Sequence, residues 1–303
     1  MKITLNTSSF AKNDIRPLEL LRAKGLETLI NPYKRAMTEA EVLSFCADAH
    51  GMIAGTEPLT AKVLAQLRNL KVISRCGTGM ENVDLKAAQA QGIQVFNTPS
   101  GPTLAVAELT LGLIISLLRH THDMDRKLRA GVWDKRMGNL LCGKTVGIVG
   151  FGRIGQKIAE LLSSFGVEIL YSDIQNVKNF SKNIKVSLEE LLSRSDIVSL
   201  HISSSEGKLL IGKSQFSLMK KGAYFLNLSR GEFVDEEALY RVLKEGYLAG
   251  AALDVFAREP YEGPLATLEN VILTPHIGSY AAEARVLMEL EAVNNLFKGL
   301  NIS

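Results

Sequence analysis

The sequence predicts an α/β protein with two parallel sheets, and three observations carry that reading. The first hundred residues alternate short apolar runs with amphipathic stretches, a second alternation fills the second half, and a glycine-rich turn joins a strand to a helix in between. Candidate strands in the first half are 2–6, 27–31, 51–54, 71–74 and 93–96. Helices are expected between them at about 14–23, 38–45, 60–67 and 84–91. Thr38 followed by Glu41 reads as a capping box, and Thr60 and Asp84 are candidate caps for the next two helices.

The breaker cluster Asn97-Thr98-Pro99-Ser100-Gly101-Pro102 ends this first half. Residues 103–130 then read as one long helix of about 40 Å, interrupted in composition only at Gly112. After Gly131, strands are expected at 145–149, 167–171, 197–200, 223–228, 249–253 and 271–273. A last helix at about 281–298 follows the breaker Gly278-Ser279 and could return to the first lobe. Punctuation places the domain boundaries at 98–102 and about 280–284. This gives a substrate domain of residues 1–98 plus 283–303 and a nucleotide-binding domain of 99–282. A chain of 303 residues suffices for two domains of ordinary size.

Composition excludes several classes. Apolar residues make up 46% and charged residues 22%, as in globular enzymes. A net charge of +3 without a run of like charges argues for neither nucleic acid nor membrane. The N-terminus is too short in apolar residues for a signal peptide. The most apolar segment, 109–118, falls short of the roughly twenty residues that span a bilayer. Three cysteines without CxxC spacing (Cys46, Cys76, Cys142) suggest reduced thiols and a cytoplasmic location. Cys76 lies in a loop of interest and is either oxidation-sensitive or a small buried residue.

The central motif is Gly150-Phe151-Gly152-Arg153-Ile154-Gly155, entered from an apolar run and left with helical spacing. Gly150 makes the tight turn, Gly152 lets a pyrophosphate approach the backbone, and Gly155 allows close helix–strand packing. The helix beginning at Arg153 and Ile154 offers free N–H groups and its positive dipole end to phosphates. Eighteen residues after Gly155, a second strand delivers Asp173, placed for the adenosine ribose hydroxyls. A carboxylate there repels a 2′-phosphate, and residues 174–178 hold one lysine and no arginine, so the cofactor expected is NAD.

Three later strand ends carry reactive side chains. Leu226-Asn227-Leu228-Ser229-Arg230-Gly231 ends on an arginine, whose planar guanidinium grips a carboxylate in bidentate fashion. Ala251-Ala252-Leu253-Asp254-Val255-Phe256 is followed by Arg258-Glu259-Pro260. Leu273-Thr274-Pro275-His276-Ile277-Gly278 places a histidine between breakers. Histidine suits proton transfer near neutrality, and Glu259 is a candidate to orient it. Asp254 alone could also cap a turn. His120 and His122, two apart on a helix, point to different faces and make no metal site, so no metal is expected. Arg126, Lys127 and Arg129 read as a solvated face.

On these motifs the chain resembles the D-isomer-specific 2-hydroxyacid dehydrogenases over essentially its full length. The resemblance implies two Rossmann-like/flavodoxin-like lobes, with the cofactor domain inserted into the substrate domain, and dimerisation through the cofactor domain. It implies that Arg230 binds the substrate carboxylate and carbonyl, that His276 is the acid/base paired with Glu259, and that Asp254 meets the nicotinamide carboxamide. His201, Ser229 and Gly278 join Gly150, Gly152, Arg153, Ile154, Gly155 and Asp173 as cofactor-binding candidates.

The segment running from Ser74 to Asp84 is similar to the family's substrate loop, making Arg75, Gly77, Thr78 and Gly79 substrate-binding candidates through a small anion nest. With Asn97-Thr98-Pro99 and Ala105-Val106-Ala107-Glu108, it looks most like the short D-3-phosphoglycerate dehydrogenases. The expected reaction is oxidation of D-3-phosphoglycerate to 3-phosphohydroxypyruvate at the entry to serine synthesis. The sequence ends at Ser303, before any serine-sensing domain, so inhibition by serine is not expected. The alternatives are a dehydrogenase for glyoxylate or hydroxypyruvate, or an NAD(H)-sensing corepressor-like binding protein.

Two departures stand out. Ile202-Ser203-Ser204-Ser205-Glu206 replaces the family's usual Pro-Leu-Thr run. Ala54-Gly55-Thr56-Glu57 lacks an arginine that some phosphoglycerate enzymes bring to the phosphate. Arg75 is one substitute, and Lys135 and Arg136 are others if the segment after the long helix reaches a partner subunit.

Overall fold

The computed structural model describes residues 1–175, 183–202 and 209–302. The chain forms two compact units, one of residues 1–105 and 279–303, the other of residues 106–278.

The first unit is built from β1 (Lys2–Leu5), α1 (Arg16–Ala23), β2 (Glu27–Ile30), α2 (Glu39–Phe45), β3 (Gly51–Ala54), α3 (Ala61–Leu64), β4 (Val72–Arg75), α4 (Leu85–Ala90) and β5 (Gln94–Phe96). Its five strands are parallel in the order β2-β1-β3-β4-β5, the flavodoxin-like arrangement. Successive residues face opposite sides. Met52, Ala54 and Ile73 join a core with α2 to α4, while Ile3, Leu5, Ile53 and Val72 pack against α1 and the C-terminal helix. The Thr38 capping box forms, and the Asp84 side chain accepts the Ala87 N–H. Thr60 does not cap. Its hydroxyl donates to Glu39 Oε1 at 2.7 Å, and α3 is a single turn, shorter than its sequence suggests.

The stretch expected as one long helix is two, α5 (Ser100–Arg119) and α6 (Thr121–Arg129). The break falls at His120, whose φ of 52° is left-handed, while Gly112 lies unremarked inside α5. The cluster at Ser100-Gly101-Pro102 is the first turn of α5, where proline has no N–H to lose. At 20 residues α5 is also longer than its apolar segment suggested, and it is long and apolar enough to cross a membrane. Packing gives it another use: Val106, Ala107, Leu113, Ile114, Leu117 and Leu118 are buried against the second unit's sheet. Arg126 and Lys127 do not form a plain solvated face, since both pair with Asp123, whose side chain is 1% exposed.

The second unit continues with β6 (Thr145–Val149), α7 (Arg153–Leu162), β7 (Glu168–Ser172), β8 (Ile184–Lys185), α8 (Leu188–Arg194), β9 (Ile197–Leu200), α9 (Lys213–Leu218), β10 (Tyr224–Asn227), α10 (Glu236–Lys244), β11 (Gly250–Leu253) and β12 (Val271–Leu273). Its sheet has the order β12-β11-β10-β9-β6-β7-β8. The chain enters at β6, winds outward to β8, then returns to the other side of β6, so the topology reverses between β6 and β9. Tyr224 and Leu226 face one core and Phe225 the other, and Ala252 lies opposite to Ala251 and Leu253. Helices therefore cover both faces, which explains the unbroken apolar runs. The last helix, α11 (Ala282–Gly299), belongs to the first unit and packs on β3, β4 and β5.

Candidate active site

Parallel pairing puts the ends of six strands of the second unit in one row. Ser172 pairs with Val149, Val149 with Leu200, Leu200 with Asn227, Asn227 with Leu253, and Leu253 with Leu273. Every chemistry-bearing segment of this unit begins one to a few residues beyond that row. Strands lie ~4.8 Å apart, so the segments after β10 and β12 leave the sheet about 10 Å from one another. The structure therefore brings Arg230, Asp254, Glu259 and His276 to one sheet edge, together with the glycine-rich turn and Asp173.

The turn after β6 suits a dinucleotide. Gly150 has a φ of 90°, a conformation other residues rarely adopt, and donates to Ser172 O at 2.9 Å. Gly155 sits so close to the Gly150 carbonyl that a Cβ would collide with it. Gly152 differs: a Cβ there would meet nothing within 4 Å. Its smallness serves no internal packing and leaves open space at the N-terminus of α7, whose first residues are Arg153 and Ile154. Asp173 follows β7 with Oδ2 accepting the Phe151 N–H at 2.6 Å and Oδ1 accepting the Gln175 N–H at 2.7 Å. The carboxylate is thus fixed against the turn, with lone pairs left for ribose hydroxyls. Beside it Ile174 is 99% exposed, an apolar residue without a packing role that the motif reading passed over.

His201 follows β9 and is buried. Its Nε2 lies 2.7 Å from Ser199 Oγ, and its backbone backs onto Gly150. Burial pushes its pKa down to about 3, so the ring is neutral. The replaced Pro-Leu-Thr run at 203–206, like residues 176–178 after Asp173, lies outside the described residues.

Arg230 is shaped by a buried asparagine. Asn227 Nδ2 donates to Arg230 O at 2.9 Å, and its Oδ1 accepts the N–H and hydroxyl of Ser229 at 3.0 and 2.8 Å. Arg230 Nη1 donates to Ser229 O at 2.8 Å. The Ser229 hydroxyl is therefore committed to Asn227. Gly231 packs so tightly that a Cβ would collide with the Phe256 backbone, which locks the loop after β10 to the loop after β11.

Asp254 is buried and does what neither motif nor spacing reveals. Its Oδ1 accepts the Thr274 hydroxyl at 2.6 Å and the Ile277 N–H at 2.8 Å, and its Oδ2 accepts the Gly278 N–H at 2.7 Å. It thereby clamps both sides of the histidine. His276 itself has a φ of 54°, half of its side chain is exposed, and its Nδ1 lies 2.9 Å from Glu259 Oε2. Glu259 Oε1 accepts the Phe256 N–H at 3.1 Å. A carboxylate only accepts, so Nδ1 is the donor in this pair, and Nε2 is the ring nitrogen not engaged by Glu259.

In the first unit, Arg75 ends β4. Its guanidinium lies across Gly77, and Nη1 donates to Cys76 O at 3.0 Å. The Gly77 N–H donates to Thr98 Oγ1 at 2.6 Å, so it serves the fold, contrary to its expected place in an anion nest. Thr78 and Gly79 continue the loop, with Asn97 Nδ2 donating to Thr78 O at 2.9 Å. Cys76 is 4% exposed, and burial raises its thiol pKa to about 11, which makes it a packed core residue. His122 Nε2 lies 3.2 Å from Glu269 O, and among the described residues no group of His, Cys, Asp and Glu is arranged to hold a metal.

Residues 111–278 match the family model for the D-isomer specific 2-hydroxyacid dehydrogenase, NAD binding domain. The chain belongs to this family. It is an NAD-dependent dehydrogenase acting on 2-hydroxyacids, and NAD fits the turn at Gly150–Gly155 with Asp173. Among relatives of this dehydrogenase, a glyoxylate reductase of Thermofilum pendens is 44% identical over 254 residues, covering 80% of this chain and 75% of the relative. A D-3-phosphoglycerate dehydrogenase of Methanocaldococcus jannaschii is 40% identical over 259 residues, covering 82% of this chain and 49% of the relative. The crystal structure of the TT0316 protein from Thermus thermophilus superposes with a TM-score of 0.89 at 36% identity, covering 99% of this chain and 97% of that one.

Proposed function

We propose that this dehydrogenase oxidises D-3-phosphoglycerate at C2 to 3-phosphohydroxypyruvate, the step that opens serine synthesis, with His276, Glu259 and Arg230 as its catalytic residues. The observation that supports the chemistry most is the His276–Glu259 pair on the sheet edge that also carries Arg230 and the nucleotide turn. His276 Nε2 takes the C2 hydroxyl proton, and Glu259 holds the ring and stabilises the charge it gains. Arg230 grips the substrate carboxylate and the C2 oxygen. Asp254 holds Ile277 and Gly278 in place and, with Ser229, His201 and Gly278, borders the nicotinamide. Gly152, Arg153 and Ile154 receive the pyrophosphate, and Asp173 the ribose. The chemistry supplied by bound NAD is acceptance of the hydride from C2.

Arg75, Thr78 and Gly79 are the proposed contacts for the rest of the substrate, with Gly77 shaping their loop. The identity to a D-3-phosphoglycerate dehydrogenase supports the phosphorylated substrate. A second reading, reduction of glyoxylate or hydroxypyruvate, is favoured by the similarity to a glyoxylate reductase. NADH oxidation with phosphohydroxypyruvate, hydroxypyruvate and glyoxylate decides between them. Comparable kcat/KM with and without the phosphate would remove phosphoglycerate as the substrate.

The enzyme is further proposed to act as a homodimer through the segment after α6. Trp133, Met137 and Leu140 are 79%, 92% and 73% exposed there, a row of large apolar side chains that a partner would cover. Sedimentation of a Trp133→Ser variant as a monomer is the expected result, and a monomeric wild-type protein would refute the proposal.

A further inference from the structure

The turn that carries His276 is held by a closed ring of hydrogen bonds. His276 has a φ of 54°, in the left-handed region, which residues with a Cβ adopt seldom and keep only where their surroundings fix the chain. Pro275 and His276 are both exposed, so packing does not fix it. Hydrogen bonds do. The His276 N–H donates to Thr274 O at 2.9 Å. The Thr274 hydroxyl donates to Asp254 Oδ1 at 2.6 Å, and the same carboxylate accepts the N–H groups of Ile277 and Gly278 at 2.8 and 2.7 Å. Residues 274–278 thus leave Asp254 and return to it, with His276 at the crest.

Both Thr274 and Asp254 are set in the sheet. The Thr274 N–H donates to Leu253 O and the Asp254 N–H to Asn227 O, each at 3.0 Å. Asp254 is 1% exposed, and a buried carboxylate that loses a donor turns toward another. Two of the donors named here are backbone N–H groups, and the Thr274 hydroxyl is the side chain among them. Removing that hydroxyl opens the ring on the strand side without changing the backbone chemistry. The imidazole at the crest, whose Nδ1 lies 2.9 Å from Glu259 Oε2, then loses its fixed base. Small misplacements of a reacting group lower rates by large factors.

We infer that Thr274 is a positioning residue for the reaction: its hydroxyl, through Asp254, holds His276 left-handed and so aims the imidazole. This rests on the proposal that His276 transfers the proton. Thr274 acts through His276, so its contribution falls on the chemical step and leaves NADH binding alone. The contribution vanishes when the imidazole is absent.

The test is the rate of NADH oxidation in a single turnover with the preferred 2-oxo acid, read by stopped flow beside an NADH titration. Thr274→Val, which keeps the shape and removes the hydroxyl, slows that rate about tenfold and leaves the NADH dissociation constant within about twofold. Thr274→Ser keeps the hydroxyl and stays within about threefold of wild type. In a His276→Ala background, Thr274→Val changes the residual rate by less than about twofold. A folded Thr274→Val enzyme at the wild-type rate overturns the inference. So does a loss that persists without His276, or one that falls on NADH binding instead. If the valine variant does not fold, Thr274→Cys, a weaker donor of similar size, takes its place. A slowed cysteine variant supports the inference, and one at the wild-type rate overturns it. If His276→Ala reacts like the wild type, the proton-transfer reading fails by itself. The ring is then judged from the nitrogen NMR signals of the His276 imidazole, assigned by their loss in His276→Ala. A shifted Nδ1 signal in the Thr274 variant supports the hold on the imidazole, and an unchanged one overturns it.

Discussion

His276 Nδ1 and Glu259 Oε2 stand 2.9 Å apart, and the other Glu259 oxygen accepts the backbone N–H of Phe256 at 3.1 Å. The glutamate is therefore anchored to the loop after β11 while it orients a ring from the loop after β12. A hydrogen bond to a charged group contributes roughly 1.5–3 kcal/mol. Glu259→Gln is expected to lower kcat by about 10- to 100-fold, with the dissociation constant for NADH within about twofold of wild type. Steady-state rates and an NADH fluorescence titration check both parts. Unchanged kcat would show that the pair is only a surface contact.

The two glycines flanking the start of α7 make a contrasting pair. Gly155 has no room for a methyl group, because Gly150 O already occupies the space, whereas Gly152 faces open space with an extended backbone. Gly155→Val should lower Tm by several degrees, since overpacking costs about 1–3 kcal/mol. Gly152→Val should leave Tm nearly unchanged and weaken NADH binding tenfold or more, because the methyl groups take the space meant for phosphate. Equal losses of Tm in the two variants would show that Gly152 is there for the fold.

How much of this was legible in the sequence depends on the range over which each feature is decided. The glycine turn, Asp173 and the strand ends at Arg230 and His276 are local patterns, and each strand that the sequence predicts lies within one or two residues of its expected place. The break at His120 was not legible: no glycine or proline marks it, and the buried path of Leu117 and Leu118 is a tertiary demand. Asp254 read as a turn cap or a cofactor contact, and its bonds to Thr274, Ile277 and Gly278 span 20 to 24 residues. Glu57 read only as part of a loop without an arginine, because its carboxylate turns back to the Gly55 N–H and the Asn82 side chain that closes the turn comes from 25 to 27 residues away. The short edge strand β8 has only two residues and no periodicity to detect.

His201 makes stability depend on pH. Its pKa is lowered from 6.5 to about 3 in the folded protein by burial. A histidine depressed in this way contributes stability that is fully present above about 6.5 and is lost as pH falls toward 3, at up to about 1.4 kcal/mol per pH unit. Between pH 7 and pH 5, Tm of the wild-type protein should fall more than that of a His201→Asn variant. Parallel curves for the two proteins would show that this ring is not held neutral.

One comparison decides whether His276 is the proton-transfer group of a hydride-transfer site. Turnover of wild type and His276→Ala is measured on the preferred 2-oxo acid, with NADH binding titrated alongside. The expected result is a loss of about 10²–10⁴-fold in kcat with NADH affinity nearly intact. A His276→Ala enzyme that turns over like the wild type would rule out that role for His276.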